Sequence, residues 1–137
     1  MNFKALLYSF VFLSGFIFGN FQFQEKDILS SDEAFIFKAD TRDNKTFLSW
    51  QIKPGYYLYK NSVSIQTKDN TPKYSFITKN ESTISDEFFG ESIVFKNNLE
   101  VEVELSHVNS DKNNNIIVTY QGCAEGKYCY PKIVKSL

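Results

Sequence analysis

The sequence predicts an all-β chain, an immunoglobulin-like antiparallel β-sandwich. Three observations carry that prediction. Short runs alternate apolar with polar residues, turn-forming clusters separate them, and no stretch after the first apolar segment shows a helical period. An aromatic content of 17%, from 14 Phe and 8 Tyr against 1 Trp, also suits pleated strands better than helices.

The strands can be taken in order. The first expected strand, 34–39, places Phe35 and Phe37 on one side. In 46–52, Leu48, Trp50 and Ile52 share one face while Ser49 and Gln51 share the other. The run 99–105 is the clearest: Leu99, Val101, Val103 and Leu105 point one way, and Glu100, Glu102 and Glu104 the other. A sheet with one wet face produces that pattern. Ile116, Val118 and Tyr120 repeat it within 115–121. Fainter strands are expected at 56–59, 63–66, 74–77 and 93–96. Turn chemistry lies between them, at 40–45, Pro54-Gly55, 68–72, 96–98 and 109–114. Both cysteines sit near the end, so the inter-sheet cysteine pair of antibody domains is absent.

At 137 residues the chain has room for one domain with a real core, and it shows no internal repeat. Its 15 basic residues against 16 acidic ones leave no basic excess, which excludes nucleic acid as an expected partner. The amino terminus reads as an address. Met1-Asn2-Phe3-Lys4 supplies a short positive end, and 5–19 is an unbroken apolar and small-residue run, the length of a signal-peptide core. The division expected is signal peptide 1–19, polar leader 20–33 and domain 34–137, with an uncleaved membrane anchor as the alternative for the first segment. Export puts both cysteines where a disulfide can persist.

Cys123 and Cys129 are the only cysteines, separated by Ala-Glu-Gly-Lys-Tyr with Gly126 to make a turn. The two sulfurs can meet across a hairpin. Spacing alone leaves two roles open, a redox pair and a structural staple. A loop this short contributes only about 2–2.5 kcal/mol as a staple in the chain-entropy model. Metal binding is not expected, because zinc would want two more ligands and the chain has 1 His. That residue, His107, reads as a solvated turn histidine, and Glu100, Glu102 and Glu104 as a solvated face. Asn44-Lys45-Thr46 and Asn80-Glu81-Ser82 match the glycosylation pattern, which is common by chance. Two segments resist so bland a reading. Tyr57 and Tyr59 share one face of their strand, and Ser85-Asp86-Glu87-Phe88-Phe89-Gly90 puts two aromatics in a loop flanked by acids. Core packing explains tyrosines readily, but an aromatic at a loop tip usually covers or binds something.

Three blocks in order carry a family resemblance. They are Trp50-Gln51-Ile52-Lys53-Pro54-Gly55-Tyr56-Tyr57-Leu58-Tyr59, then Asp86-Glu87-Phe88-Phe89-Gly90, then Tyr120-Gln121-Gly122-Cys123 through Cys129-Tyr130-Pro131. From about Ala34 onward the chain resembles the amino-terminal periplasmic domain of the DsbD thiol–disulfide interchange family. That resemblance implies an immunoglobulin-like sandwich in the periplasm that relays electrons by dithiol–disulfide exchange, as a protein-disulfide reductase does, with no bound cofactor. It implies that Cys129 forms the mixed disulfide and Cys123 resolves it. It makes Asp86, Glu87, Phe88, Phe89 and Gly90 a cap loop with Phe88 at its tip, Tyr57 and Tyr59 the packing around the pair, and Asp86 and Glu87 neighbours of the sulfurs. The implied partners are thioredoxin-like periplasmic proteins, among them a DsbC-like isomerase and the cytochrome c maturation thioredoxin. The family protein continues into a membrane domain and a thioredoxin-like domain, whereas this sequence stops at Leu137. The expected electron donor is therefore a thioredoxin-like or membrane protein in trans, unless the sequence is a fragment. The alternative reading is a non-catalytic binding module with a structural disulfide.

Overall fold

A computed structural model describes residues 27–68, 70–105 and 115–137. The expected signal segment 1–19, residues 20–26 of the leader and the His107 turn lie outside the described residues. Among the described residues a short helix, α1 (Ser31–Ala34), leads into twelve strands. These are β1 (Phe35–Arg42), β2 (Lys45–Ile52), β3 (Tyr56–Tyr59), β4 (Ser64–Gln66), β5 (Tyr74–Phe76), β6 (Glu81–Asp86), β7 (Gly90–Phe95), β8 (Asn98–Glu104), β9 (Ile117–Tyr120), β10 (Gly122–Ala124), β11 (Tyr128–Cys129) and β12 (Ile133–Ser136). All described pairings are antiparallel. The chain is all-β with the immunoglobulin-like architecture that the alternation predicts.

One wall of the sandwich has the order β1-β2-β8-β5. A second sheet runs β11-β10-β3-β7-β6, and a third β12-β9-β4. These last two meet where β9 runs on into β10, with Tyr59 N–H donating to the Gln121 carbonyl at 3.0 Å. Alternation does what the sequence says it must: Leu48, Trp50, Ile52, Leu99, Val101 and Val103 are buried in one core, together with Ile65, Val118 and Tyr120 from the third sheet.

Turn chemistry sets the registers. Asp43 and Asn44 take positive φ values of 51° and 59°, the two-residue geometry that joins β1 to β2 without splaying the strands. Pro54 and Gly55 (φ 84°) form the centre of a turn closed by Tyr56 N–H donating to the Lys53 carbonyl at 3.1 Å.

Two features differ from the sequence expectation. Residues 27–33, expected as leader, belong to the packed structure where described. Ile28 packs on the core, and both backbone groups of Leu29 are engaged, its N–H by Tyr56 Oη at 2.9 Å and its carbonyl by the Tyr130 hydroxyl. A Ser30–Glu33 capping box starts α1, with Glu33 accepting from Ser30 N–H at 3.1 Å. The second is β6, which had no expected strand. Only Ser82, Ile84 and Asp86 of this edge strand are half-buried, so its apolar signal is weak.

Candidate functional site

The site is built on β3, whose two faces have different destinations. Tyr56 and Leu58 enter the main core, whereas Tyr57 and Tyr59 form a second cluster with Val94 and Cys123. β10 lies beside β3 with Cys123 opposite Tyr57, and β11 lies beside β10 with Cys129 opposite Cys123. The cysteines are joined as a disulfide, their Cα atoms 4.0 Å apart, across a turn in which Gly126 takes a φ of 69°. Cys123 is fully buried and Cys129 half-buried, so one sulfur is markedly more approachable than the other.

Gly122, immediately before the pair, admits no side chain. An added Cβ would lie 2.5 Å from both Phe35 Cζ and the Tyr57 carbonyl oxygen. That close approach seats Cys123 beneath the tyrosines.

The β6–β7 hairpin closes over this face. Its last pair is Asp86 with Gly90, so Glu87, Phe88 and Phe89 form a three-residue tip, and Gly90 takes the left-handed conformation (φ 68°) such a tip requires. Asp86 pins the tip to the sheet with both carboxylate oxygens. Oδ1 accepts from Phe88 N–H at 3.0 Å and Phe89 N–H at 2.8 Å. Oδ2 accepts from the Tyr57 hydroxyl at 2.8 Å and from the Tyr59 hydroxyl. Phe89 then packs edge-on against Tyr59, ring centroids 4.8 Å apart. Phe88 instead lines a cleft of about 310 Å³ with Tyr57, Glu125 and Gly126. Both rings are about half exposed, at 48% and 54%.

These contacts decide where protons reside. Burial works to raise the Asp86 carboxyl, but hydrogen bonds from Tyr59, the Phe89 amide, Tyr57 and the Phe88 amide outweigh it, and the net shift is downward. Burial first, then the bond to Asp86, pushes the Tyr59 phenol far above its ordinary value. Burial also raises Tyr57. A carboxylate and two protonated phenols are thus the stable arrangement. The Tyr59 oxygen lies 3.3 Å from Cys123 Sγ and 3.9 Å from Cys129 Sγ. A disulfide sulfur has no proton, so these are contacts; in the dithiol the same oxygen can accept an S–H.

The structure therefore brings Cys123, Cys129, Tyr57, Tyr59, Asp86, Phe89 and Gly90 together. Asp86 reaches the sulfurs only through Tyr59, and Glu87 has no described contact with them. Sequence reasoning did not single out Val94, Glu125 or Tyr128, the last of which packs edge-on against Tyr130 at 5.1 Å beside Cys129. Among the described residues no cluster of His, Cys, Asp and Glu is arranged to hold a metal.

The family model for the thiol:disulfide interchange protein DsbD, N-terminal, matches residues 25–137. This chain belongs to the DsbD amino-terminal domain family. It is 45% identical over 104 residues to the DsbD of Photorhabdus laumondii, a match spanning 75% of this chain and 17% of that protein. It is 33% identical over 126 residues to the DsbD of Cronobacter sakazakii, spanning 92% of this chain and 21% of that protein. The chain thus spans about a fifth of the length of these curated relatives. In fold it is similar to the reduced DsbD amino-terminal domain of Neisseria meningitidis, with a TM-score of 0.73, 26% identity, and 82% and 89% of the two chains covered. It is also similar to a chain in the complex between the DsbD and PilB amino-terminal domains of the same organism, with a TM-score of 0.62, 26% identity, and 80% and 85% covered.

Proposed function

We propose that this domain is a periplasmic thiol–disulfide relay that passes electrons between thioredoxin-like proteins through Cys123 and Cys129. The observation that carries the reading is a buried and a half-buried cysteine beside two tyrosines to which an aromatic hairpin tip is pinned. A simple staple needs no such setting.

The chemistry balances without a cofactor. In the dithiol, the Cys129 thiolate attacks a partner disulfide, forming a mixed disulfide and releasing one partner thiolate. Cys123 thiolate then attacks Cys129 Sγ, which closes the internal disulfide and releases the second partner thiolate. Two electrons pass to the partner, and the two thiol protons with them. Reduction of the domain by its own donor, a thioredoxin-like or membrane protein, runs the same steps in reverse.

Between partners the site is held inactive. The Tyr59 hydroxyl donates its hydrogen bond to Asp86, so it presents only an acceptor to the sulfurs, which favours thiol over thiolate and slows stray exchange. The tip, held by Phe89 on Tyr59, shields the pair until docking displaces it, while Phe88 lines the neighbouring Tyr57 cleft. Acceptors of DsbC-like isomerase type and the cytochrome c maturation thioredoxin fit this reading through the family membership.

The test is a Cys123→Ala variant presented with a periplasmic extract. Cys129 is expected to accumulate mixed disulfides with thioredoxin-like proteins. A Cys129 that stays free with all partners present overturns the relay. So does a reduction potential for the pair below about −300 mV, the range of structural bridges.

A further inference from the structure

Gln121 stands at the corner where the third sheet passes into the second, between Tyr120 at the end of β9 and Gly122 at the start of β10. Its main chain is committed to the β3 side. The carbonyl accepts from Tyr59 N–H at 3.0 Å, and the N–H donates to Ser62 Oγ at 2.9 Å. Ser62 in turn donates to the Tyr59 carbonyl at 2.7 Å, so both backbone groups of Tyr59 are held at this corner. The side chain goes the other way. Gln121 Nε2 donates to the carbonyl of Tyr130 at 2.9 Å, and a carbonyl can only accept, so the amide nitrogen is the end that faces it. Tyr59 carries the phenol beside both sulfurs, and Tyr130 is the next residue after Cys129. One half-buried residue outside the exchange chemistry thus fastens the two segments that flank the disulfide.

The side-chain bond supplies a rung that the backbone cannot. Tyr130 N–H donates to the Gly122 carbonyl at 3.0 Å, and the next residue, Pro131, has no N–H to carry the ladder further. β11 is two residues long and the outermost strand of its sheet. While the disulfide is closed, Cys129 is held covalently on Cys123. Reduction removes that link. The placement of Cys129 Sγ then rests on the ties at Tyr130, where the hydroxyl also bonds the Leu29 carbonyl, and on the turn bond from Lys127 N–H to the Ala124 carbonyl at 3.0 Å.

Closure of the internal disulfide makes the greatest demand on that placement. Cys123 thiolate must meet Cys129 Sγ in line with the departing sulfur, and a misplacement of about 1 Å can cost about a hundredfold in such a step. Attack by Cys129 on an incoming disulfide makes no such demand, because the second reactant is free to adjust.

We propose that Gln121 is a positioning residue for the closing step: its amide holds Tyr130, and through it Cys129, where Cys123 can displace the partner sulfur. This rests on the relay reading and deepens it. The brace and the disulfide favour the same placement of β11, so each stabilises the other. Removing the brace therefore slows closure and weakens the disulfide relative to the dithiol. A side chain that only supported the fold would lower stability without separating one step of exchange from the other.

The test compares the full wild-type chain with Gln121→Met, which keeps the length and the backbone bonds of residue 121 and loses the donor. The reduced proteins are mixed with 4,4′-dithiodipyridine in stopped flow. Cys129 thiolate attacks the reagent, bonds to one of its sulfurs and releases the first thiopyridone. Cys123 thiolate then attacks Cys129 Sγ, releasing the second thiopyridone and closing the disulfide. The first phase scales with reagent concentration and is expected to agree within about twofold between the two proteins, since it needs no alignment with Cys123. The second, independent of reagent concentration, is expected to be about tenfold slower in Gln121→Met, the effect of one net hydrogen bond. In glutathione buffers the disulfide should be about tenfold less favoured, a rise of about 30 mV in potential for a two-electron couple. Gln121→Glu has nearly the same shape and no donor at neutral pH, and should behave likewise if the Met variant fails to fold. An unchanged second phase overturns the proposal. So does an equal slowing of both phases, which would make Gln121 a support of the fold alone. Because the reagent is a small molecule, these outcomes stand apart from the protein trapping on which the relay reading depends.

Discussion

β2 and β3 are consecutive strands of one sandwich, yet they are buried in opposite ways. Along β2 the inward residues Leu48, Trp50 and Ile52 are buried, while Ser49 is half-buried and Gln51 exposed. All four residues of β3 are buried, Tyr56 and Leu58 toward the main core and Tyr57 and Tyr59 toward the cysteines. The core face is apolar and closes on itself. The other face of β3 is lined with hydroxyls and sulfur, and one carboxylate from a different hairpin satisfies the hydroxyls. A strand covered on both faces, with polar atoms on the second, is where a sandwich has been built for something besides its own stability.

The comparison breaks most visibly at Trp50. Truncation by Trp50→Ala removes a fully buried ring packed edge-on against Tyr120 at 5.4 Å. It should lower unfolding free energy by about 3–5 kcal/mol, read from the denaturant midpoint at unchanged slope. Trapping by Cys129, measured per folded molecule, should not change, because Trp50 belongs to the main core and not to the second cluster. A change in both readouts would mean that the two faces of the sandwich are not separable.

Gly122 joins the two regions, and Gly122→Ala should therefore disturb both. The new methyl would meet Leu58 Cδ2 at 2.8 Å on the core side and the Tyr57 carbonyl oxygen at 2.5 Å on the site side. Overpacking of this kind costs about 1–3 kcal/mol. Because the displaced strand carries Cys123, closure of the internal disulfide should slow as well, seen as a longer-lived mixed disulfide when the reduced variant is mixed with oxidised thioredoxin in stopped flow. Loss of stability with unchanged closure would place the strain wholly in the core.

How much of this could be read in advance follows the same division. The alternation at Leu48–Ile52 and Leu99–Val103 is a direct record of one wet and one dry face, so the main core was legible residue by residue. So were the cysteine pair, the Tyr57–Tyr59 face and the aromatic loop, each a local pattern. The pin was not legible. Asp86 meets Tyr57 and Tyr59 across 29 and 27 residues of chain, and only the β3–β7–β6 register puts them together. Which phenylalanine packs against Tyr59 is likewise a tertiary outcome: it is Phe89, edge-on, while Phe88 turns to the Tyr57 cleft. The start of the packed structure was missed for a different reason. The Ser30-x-x-Glu33 capping signal was present, but a single helical turn carries no periodicity to draw attention to it.

The smallest expected change in global stability, and the sharpest test of the site, is Asp86→Asn. The side-chain oxygen that remains can still accept from the Phe88 and Phe89 amides, so the tip should keep its turn. The second oxygen becomes an NH₂ donor facing two hydroxyls that had been donating to it. Global unfolding should fall by about 1 kcal/mol, as expected for exchanging charge-assisted bonds at a half-exposed hairpin. The pH dependence has a fixed sign. The folded Asp86 carboxyl lies below its ordinary 3.8, so its contribution is present above that value and is lost as pH falls through the lowered folded one. The wild-type advantage over the variant should therefore be present at neutral pH and vanish in acid. Reactivity should move the other way. With no carboxylate at position 86 to accept its hydrogen bond, the Tyr59 hydroxyl is free to donate to a sulfur 3.3 or 3.9 Å away and so to favour thiolate. Reduced Asp86→Asn protein should thus react faster than wild type with a small disulfide at neutral pH, despite being slightly less stable. If its rate instead falls or stays level, Tyr59 is packing rather than a proton-setting neighbour of the cysteines, and the second face of β3 works by cover alone.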